Sequence, residues 1–169
     1  YTFSIKDPKA DFYAADITGC GGYEEFDICA MGEFFCHAKP GVPGMHNVSN
    51  AAAAAGAAYL CGVSAKAVSE GLASFGGVKR RFERLGETEN GAVVVDDYAH
   101  HPDVIRATLA AAKAVCPGKV YCIFQPHTYS RFAALMAGFA EALSLADVVV
   151  MADIYAARET NDTGVSAAD

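Results

Sequence analysis

Val120-Tyr121-Cys122-Ile123-Phe124 is an apolar run, and it stops abruptly at Gln125-Pro126-His127-Thr128-Tyr129-Ser130-Arg131. Aromatic and β-branched residues in so short a run, closed by a proline, predict a buried strand. Two similar runs flank it, residues 92–95 upstream and 148–151 downstream, at a spacing of about 28 residues. Between them the pattern predicts helices over residues 102–115 and 130–143, with Pro102 suited to the first helical position. Strand–helix–strand at this spacing predicts βαβ units and a parallel sheet buried on both faces.

Upstream the rhythm differs. Residues 12–17, 23–30 and 33–38 alternate or carry aromatic and β-branched side chains, and Gly19, Gly21, Gly22 and Gly32 punctuate them. That predicts antiparallel sheet. Lys39-Pro40-Gly41-Val42-Pro43-Gly44 breaks the pattern, and His46 and Asn47 open a helix running to about Cys61. Its alanines and Gly56 are small enough to let the helix backbone approach a neighbour closely. Gly62 fits the residue just past its end. Ser64 suits the cap of a second helix, to about Ser74, which Gly76-Gly77 ends. The change of rhythm places a domain boundary near residues 78–81. The fold expected is therefore α/β: antiparallel strands plus two helices over 1–79, then parallel strands with helices over 80–169. No initiator Met is present, and a three-stranded parallel sheet with an open edge is a poor autonomous fold. The expectation is a piece of a longer protein whose second domain continues past Asp169.

Composition narrows the function classes. Hydrophobic residues make up 53% of the 169, which excludes a disordered chain. Thirteen basic against 20 acidic residues, a net charge of −7, offer no field for collecting a nucleic-acid backbone, although a single nucleotide needs only local donors. The longest apolar stretch, residues 48–63, is interrupted by Ser49 and Asn50 and is too short to span a bilayer. The opening Tyr1-Thr2-Phe3-Ser4-Ile5 carries no basic stretch, so a signal peptide is not expected in it. None of the six cysteines (Cys20, Cys29, Cys36, Cys61, Cys116 and Cys122) forms a C-x-x-C pair, and they read as buried, reduced thiols of a cytoplasmic protein. No protein partner is evident.

In open parallel sheets ligands bind beyond the carboxyl ends of the strands. Here those ends read Asp96-Asp97-Tyr98-Ala99-His100-His101-Pro102, Gln125 to Arg131, and Asp153-Ile154-Tyr155. Asp97 can accept hydrogen bonds from ribose hydroxyls, or serve as a turn or capping aspartate. Pro102 makes His101 a cap neighbour and leaves His100 as the better functional candidate. Arg131 falls in the first turn of a helix, where the dipole disfavours a cation, so its placement points to an anionic ligand or to a solvated surface site. His127 is a functional or a structural histidine. Asn47 and Asn50 offer amide donors and acceptors of the kind an adenine edge needs, though Asn47 also suits a helix cap. Lys79-Arg80-Arg81 at the boundary suits phosphates or a solvated linker. Adjacent histidines seldom reach one ion and no H-x-x-x-H pattern occurs, so no protein-built metal site is expected.

Four motifs stand in order: G-x-H-N-x-x-N-A-x-A-A from Gly44, F-x-G-V-x-R-R-F-E from Phe75, D-D-Y-A-H-H-P from Asp96 and F-Q-P-H-x-Y-S-R from Phe124. Together they resemble the Mur ligases, from about Gly44 to the end. The resemblance implies that 1–79 is the C-terminal part of a central ATP-binding domain and 80–169 the N-terminal part of a Rossmann-like C-terminal domain. The last motif points to the family member that joins L-alanine to UDP-N-acetylmuramate. The implied chemistry is ATP-dependent ligation through an acyl phosphate in peptidoglycan precursor synthesis. The resemblance assigns Asn47, Asn50, Arg81 and Asp97 to ATP, Tyr98 and Arg131 to L-alanine, and His100 and His127 to catalysis. ATP and Mg2+ are the implied cofactors. The family's Gly-rich phosphate loop, most magnesium ligands and N-terminal UDP-binding domain are not among these residues, so this chain alone is expected to be inactive. Thr128 stands where some members have arginine. Two alternatives remain open: the sister ligase that attaches murein tripeptide, and a non-catalytic nucleotide-binding module.

Overall fold

The computed structural model describes residues 1–168 and divides into two compact units, Tyr1–Asp96 and Asp97–Asp169. In the first, β1 (Phe3–Ser4), β2 (Phe12–Cys20), β3 (Tyr23–Ala30) and β4 (Glu33–Ala38) form one sheet in sequence order. β1 runs parallel to β2, and the other pairs are antiparallel. Both hairpin turns hold two central residues at positive φ: Gly21 and Gly22 at 60° and 80°, Met31 and Gly32 at 52° and 86°. That is the turn whose twist matches paired strands. β2 runs past the expected end at residue 17, because a bulge between Ala15 and Thr18, with Asp16 at φ 50°, restores its pairing to β3.

Alternate residues Phe26, Ile28 and Ala30 of β3 are buried, and Phe26 and Ile28 meet α1 (Met45–Leu60) and α2 (Ala65–Ser74) in a core with Cys36, Ala38, Val48, Ala51, Ala55 and Val68. The small side chains of α1 act as expected: a Cβ on Gly56 would lie 2.7 Å from the Phe12 ring. At the helix end, Val63 N–H donates to Ala58 O and Gly62 N–H to Tyr59 O, the paired bonds that a positive-φ Gly62 permits. Ser64 caps α2, accepting from Ala67 N–H at 3.3 Å.

The downstream strands depart from expectation. β6 (Val93–Asp96) does not join a parallel sheet: it pairs antiparallel with β5 (Glu83–Glu87), a strand the sequence pattern did not announce. In the second unit α3 (Pro102–Val115), β7 (Tyr121–Phe124), α4 (Tyr129–Leu143) and β8 (Val148–Met151) do form a βαβ unit, with β7 and β8 parallel. The class is the α/β one expected, with parallel strands in the second part. Burial on both faces is not seen. Cys122, Phe124 and Met151 pack with Ile105, Leu109, Phe132 and Phe139 of the two helices. On the other face Tyr121 and Ile123 are 64% and 81% exposed, because the described residues supply no second layer there. The thiols are free, but only Cys36 is buried, and Cys20 and Cys61 are exposed. No helix among the described residues is long and apolar enough to cross a membrane.

Candidate functional site

The candidate residues fall into local groups, and each unit holds its own. In the first unit Gly44 stands at the cap position of α1 and makes no side-chain cap. Asn47 is therefore not the cap: its Nδ2 donates to Pro43 O at 2.8 Å, and its Oδ1 accepts from Asn50 Nδ2 at 3.2 Å. The two amides are thus fixed together, with the Asn50 carbonyl and one N–H of each amide uncommitted among the described residues. Asn50 is exposed and Asn47 half-buried. Arg81 is exposed on a turn closed by its N–H to Val78 O, and its side chain makes no ion pair among the described residues. Its neighbour Arg80, at φ 59°, pairs with Asp96 at 3.6 Å.

In the second unit the D-D-Y-A-H-H-P segment leads from the end of β6 into α3. Thr108 Oγ1 on α3 donates to Asp97 Oδ2 at 3.1 Å, which ties this carboxylate to the helix. His101 is the cap of α3, accepting from Asp103 N–H, and Pro102 follows as its first residue. His100 turns the other way: its Nδ1–H donates to Tyr98 O at 2.8 Å, and the two rings sit 4.9 Å apart. Since a carbonyl only accepts, Nδ1 carries a proton, and the tautomer this selects has its lone pair on Nε2. That is the arrangement of a proton acceptor.

His127 follows β7 and makes a parallel bridge to Tyr155, with ring centroids 5.5 Å apart. Its Nδ1 is buried with no hydrogen-bond partner among the described residues, which is not how a purely structural histidine is satisfied. Next comes Thr128 at φ 65° and ψ 141°, a backbone region open mainly to glycine. α4 then begins at Tyr129, and Arg131 lies half-buried in its first turn with no ion pair among the described residues.

One participant had no signal nearby in sequence. Glu159 accepts from Ser130 N–H at 2.9 Å and Ser130 Oγ at 2.6 Å, and so caps α4 from a segment 29 residues away. The hydrogen bonds from the Ser130 hydroxyl and N–H, with smaller contributions from Thr128 and Tyr129, hold its carboxyl below the ordinary range. Among the described residues no group of three or more His, Cys, Asp or Glu side chains is placed to hold a metal ion.

The second unit is thus an α/β fold in which polar motifs follow the strands and feed two helices. The sequence profile of the Mur ligase glutamate ligase domain matches residues 80–169, and the chain belongs to the Mur ligase family. It is 49% identical over 168 residues to a UDP-N-acetylmuramate–L-alanine ligase of Caldicellulosiruptor saccharolyticus, covering 99% of this chain and 36% of that protein. Among solved structures it is similar to a UDP-N-acetylmuramate–alanine ligase of Thermotoga maritima, at a TM-score of 0.76 and 35% identity, over 91% of this chain and 34% of that one. It is also similar to a murein peptide ligase of Psychrobacter arcticus, at a TM-score of 0.62 and 30% identity, over 88% of this chain and 31% of that one. The chain spans about a third of the length of the relatives it matches.

Proposed function

We propose that the protein carrying this chain joins L-alanine to UDP-N-acetylmuramate at the expense of ATP, a step of peptidoglycan precursor synthesis carried out in the cytoplasm. The observation that carries this reading is the 49% identity, along nearly the whole chain, to a relative of that name. We infer with it that 1–79 belongs to the ATP-binding domain and 80–169 to the C-terminal domain, a reading supported by a family profile that starts at residue 80.

In the proposed reaction a muramate carboxylate oxygen attacks the γ-phosphorus of ATP, and ADP leaves. The alanine amine then attacks the acyl phosphate carbon, loses a proton, and the tetrahedral intermediate expels phosphate to leave the amide. Such chemistry depends on positioning and charge stabilisation more than on a covalent nucleophile. Arg131, a half-buried cation with no carboxylate partner among the described residues, suits the alanine carboxylate. Tyr98 flanks His100, whose Nε2 lone pair suits the proton from the attacking amine. His127, with its unpartnered Nδ1, is a second proton-handling candidate. The linked amides of Asn47 and Asn50 suit an adenine edge, and Arg81 and Asp97 suit the phosphate and ribose regions of ATP. Magnesium would supply charge neutralisation on the phosphates. The described residues present no ligand cluster for it, so no step is assigned to this chain through the ion.

Two measurements test the reading. In the full-length protein Arg131→Ala is expected to raise the KM for L-alanine by about 10- to 100-fold with little change in the KM for ATP; an unchanged alanine KM would remove Arg131 from the site. The 169-residue chain by itself is expected to release no phosphate from ATP in the presence of both substrates, and robust turnover would sink the assignment of the phosphate-handling residues to the rest of the protein. The likeness to a murein peptide ligase keeps one alternative in view, attachment of a tripeptide in place of alanine. Competition between L-alanine and tripeptide on the full-length protein separates the two.

A further inference from the structure

Arg131 leaves α4 one turn beyond a backbone kink that needs an explanation. Thr128 is held at φ 65° and ψ 141°, and its own side chain makes no capping hydrogen bond. A threonine will not stay in such a conformation unless its surroundings impose it. Here two contacts from one downstream segment do so. Tyr155 brackets the turn with its main chain, accepting from Thr128 N–H at 2.9 Å and donating to Pro126 O at 2.9 Å. Glu159 holds the far side, taking both the N–H and the hydroxyl of Ser130. Because the carboxylate does the work of an N-cap side chain, the backbone at Thr128 need not adopt the extended geometry an N-cap residue normally has. A negative charge at this end also offsets the unfavourable placement of the Arg131 cation. Arg131 itself is not consumed by the arrangement, since no ion pair to it is formed among the described residues.

We propose that Glu159 is a positioning residue for the amino-acid carboxylate: by capping α4 at Ser130 it locks the Thr128 turn and so sets the direction in which Arg131 leaves the helix. Glu159 does not touch substrate. It acts through the turn, and the proposal rests on the reading of Arg131 as the alanine carboxylate's partner.

Steady-state kinetics of the full-length protein test it, with alanine and ATP varied separately. Glu159→Ala is expected to raise the alanine KM about tenfold while the ATP KM stays within about twofold. Thr128→Gly alone, with Glu159 still capping Ser130, is expected to raise the alanine KM less than Glu159→Ala does. Combined with Glu159→Ala it is expected to recover most of the lost alanine affinity, because glycine takes up the turn without being held there. A cap that served only stability would lower Tm without this split and without rescue. If Glu159→Ala does not fold, Glu159→Gln, which keeps an acceptor for Ser130 but not the charge, is expected to raise the alanine KM about threefold. A wild-type protein with no alanine-dependent phosphate release overturns this proposal together with the functional reading. An active wild type with an unchanged alanine KM in a folded Glu159 variant, or a tenfold rise that Thr128→Gly leaves untouched, overturns this proposal alone.

Discussion

At the scale of single residues, Gly56 shows how a missing side chain is read. Alanine there would gain about 1 kcal/mol of helix propensity. It would also push a methyl to 2.7 Å from the Phe12 ring, which is 3% exposed and packed against both Tyr1 and Tyr59. Overpacking of this kind costs about 1–3 kcal/mol, so Gly56→Ala is expected to destabilise by about 1 kcal/mol in urea denaturation. The thiols allow a second test. Burial pushes the Cys122 thiol up, and burial with the nearby Asp27 charge does the same at Cys36. Cys20 and Cys61 are exposed. An aromatic disulfide reagent at neutral pH is expected to modify those two rapidly, the half-buried Cys122 more slowly, and Cys36 only on unfolding. The sequence marked Arg131 because a cation in a helix's first turn breaks a local expectation, His100 because Pro102 makes its neighbour His101 a cap residue, and the two asparagines for their amide donors and acceptors. It could not mark Glu159, whose partner lies 29 residues away and whose neighbours carry no pattern.

Among the elements, those set by local chemistry were legible. Residues 102–115 and 148–151 form α3 and β8 with the predicted bounds, since proline, capping and apolar runs act over a few residues. β6 was recognised as a strand but not its partner, because pairing depends on which segment arrives beside it, and the polar Glu83–Glu87 carries little strand signal. Asp147, just before β8, joins elements in the same non-local way. Its Oδ2 accepts from Lys113 Nζ on α3 at 2.5 Å and from Val120 N–H before β7 at 2.6 Å. The Lys113 and Val120 hydrogen bonds hold its carboxyl below the ordinary 3.8. The unfolded chain therefore takes up this proton first as the pH falls. The contribution to stability is complete above the unfolded value and is lost as the pH drops through the depressed folded one. Asp147→Asn is expected to lower Tm at neutral pH and to flatten the fall in Tm between about pH 5 and pH 2. An unchanged slope would mean that the carboxylate is not linked to folding.

For the molecule as a whole, one surface stands out. Tyr121, Ile123 and Val150 lie on the face of the β7–β8 pair away from the helices, and Ile123 is 81% exposed. Fully apolar strands predicted two covered faces, and one is covered here. The sequence recorded the apolarity of both faces correctly and could not say how many layers these residues would supply. Ile123→Lys in the isolated chain is expected to reduce binding of a hydrophobic dye and self-association, with a stability change within about 0.5 kcal/mol. An unchanged dye signal would show that the patch is not what the dye senses. The same narrow ribbon gives the Asp147 contact a further meaning. Four residue pairs, from Tyr121 with Val148 to Phe124 with Met151, define its alignment. A slip by one position would turn Met151 away from the helices and drive Val150 toward them, and two apolar strands offer little to penalise that exchange. A carboxylate clamped to the amide immediately before β7, one residue ahead of β8, admits a single alignment, and so works as the index mark from which the ribbon is counted.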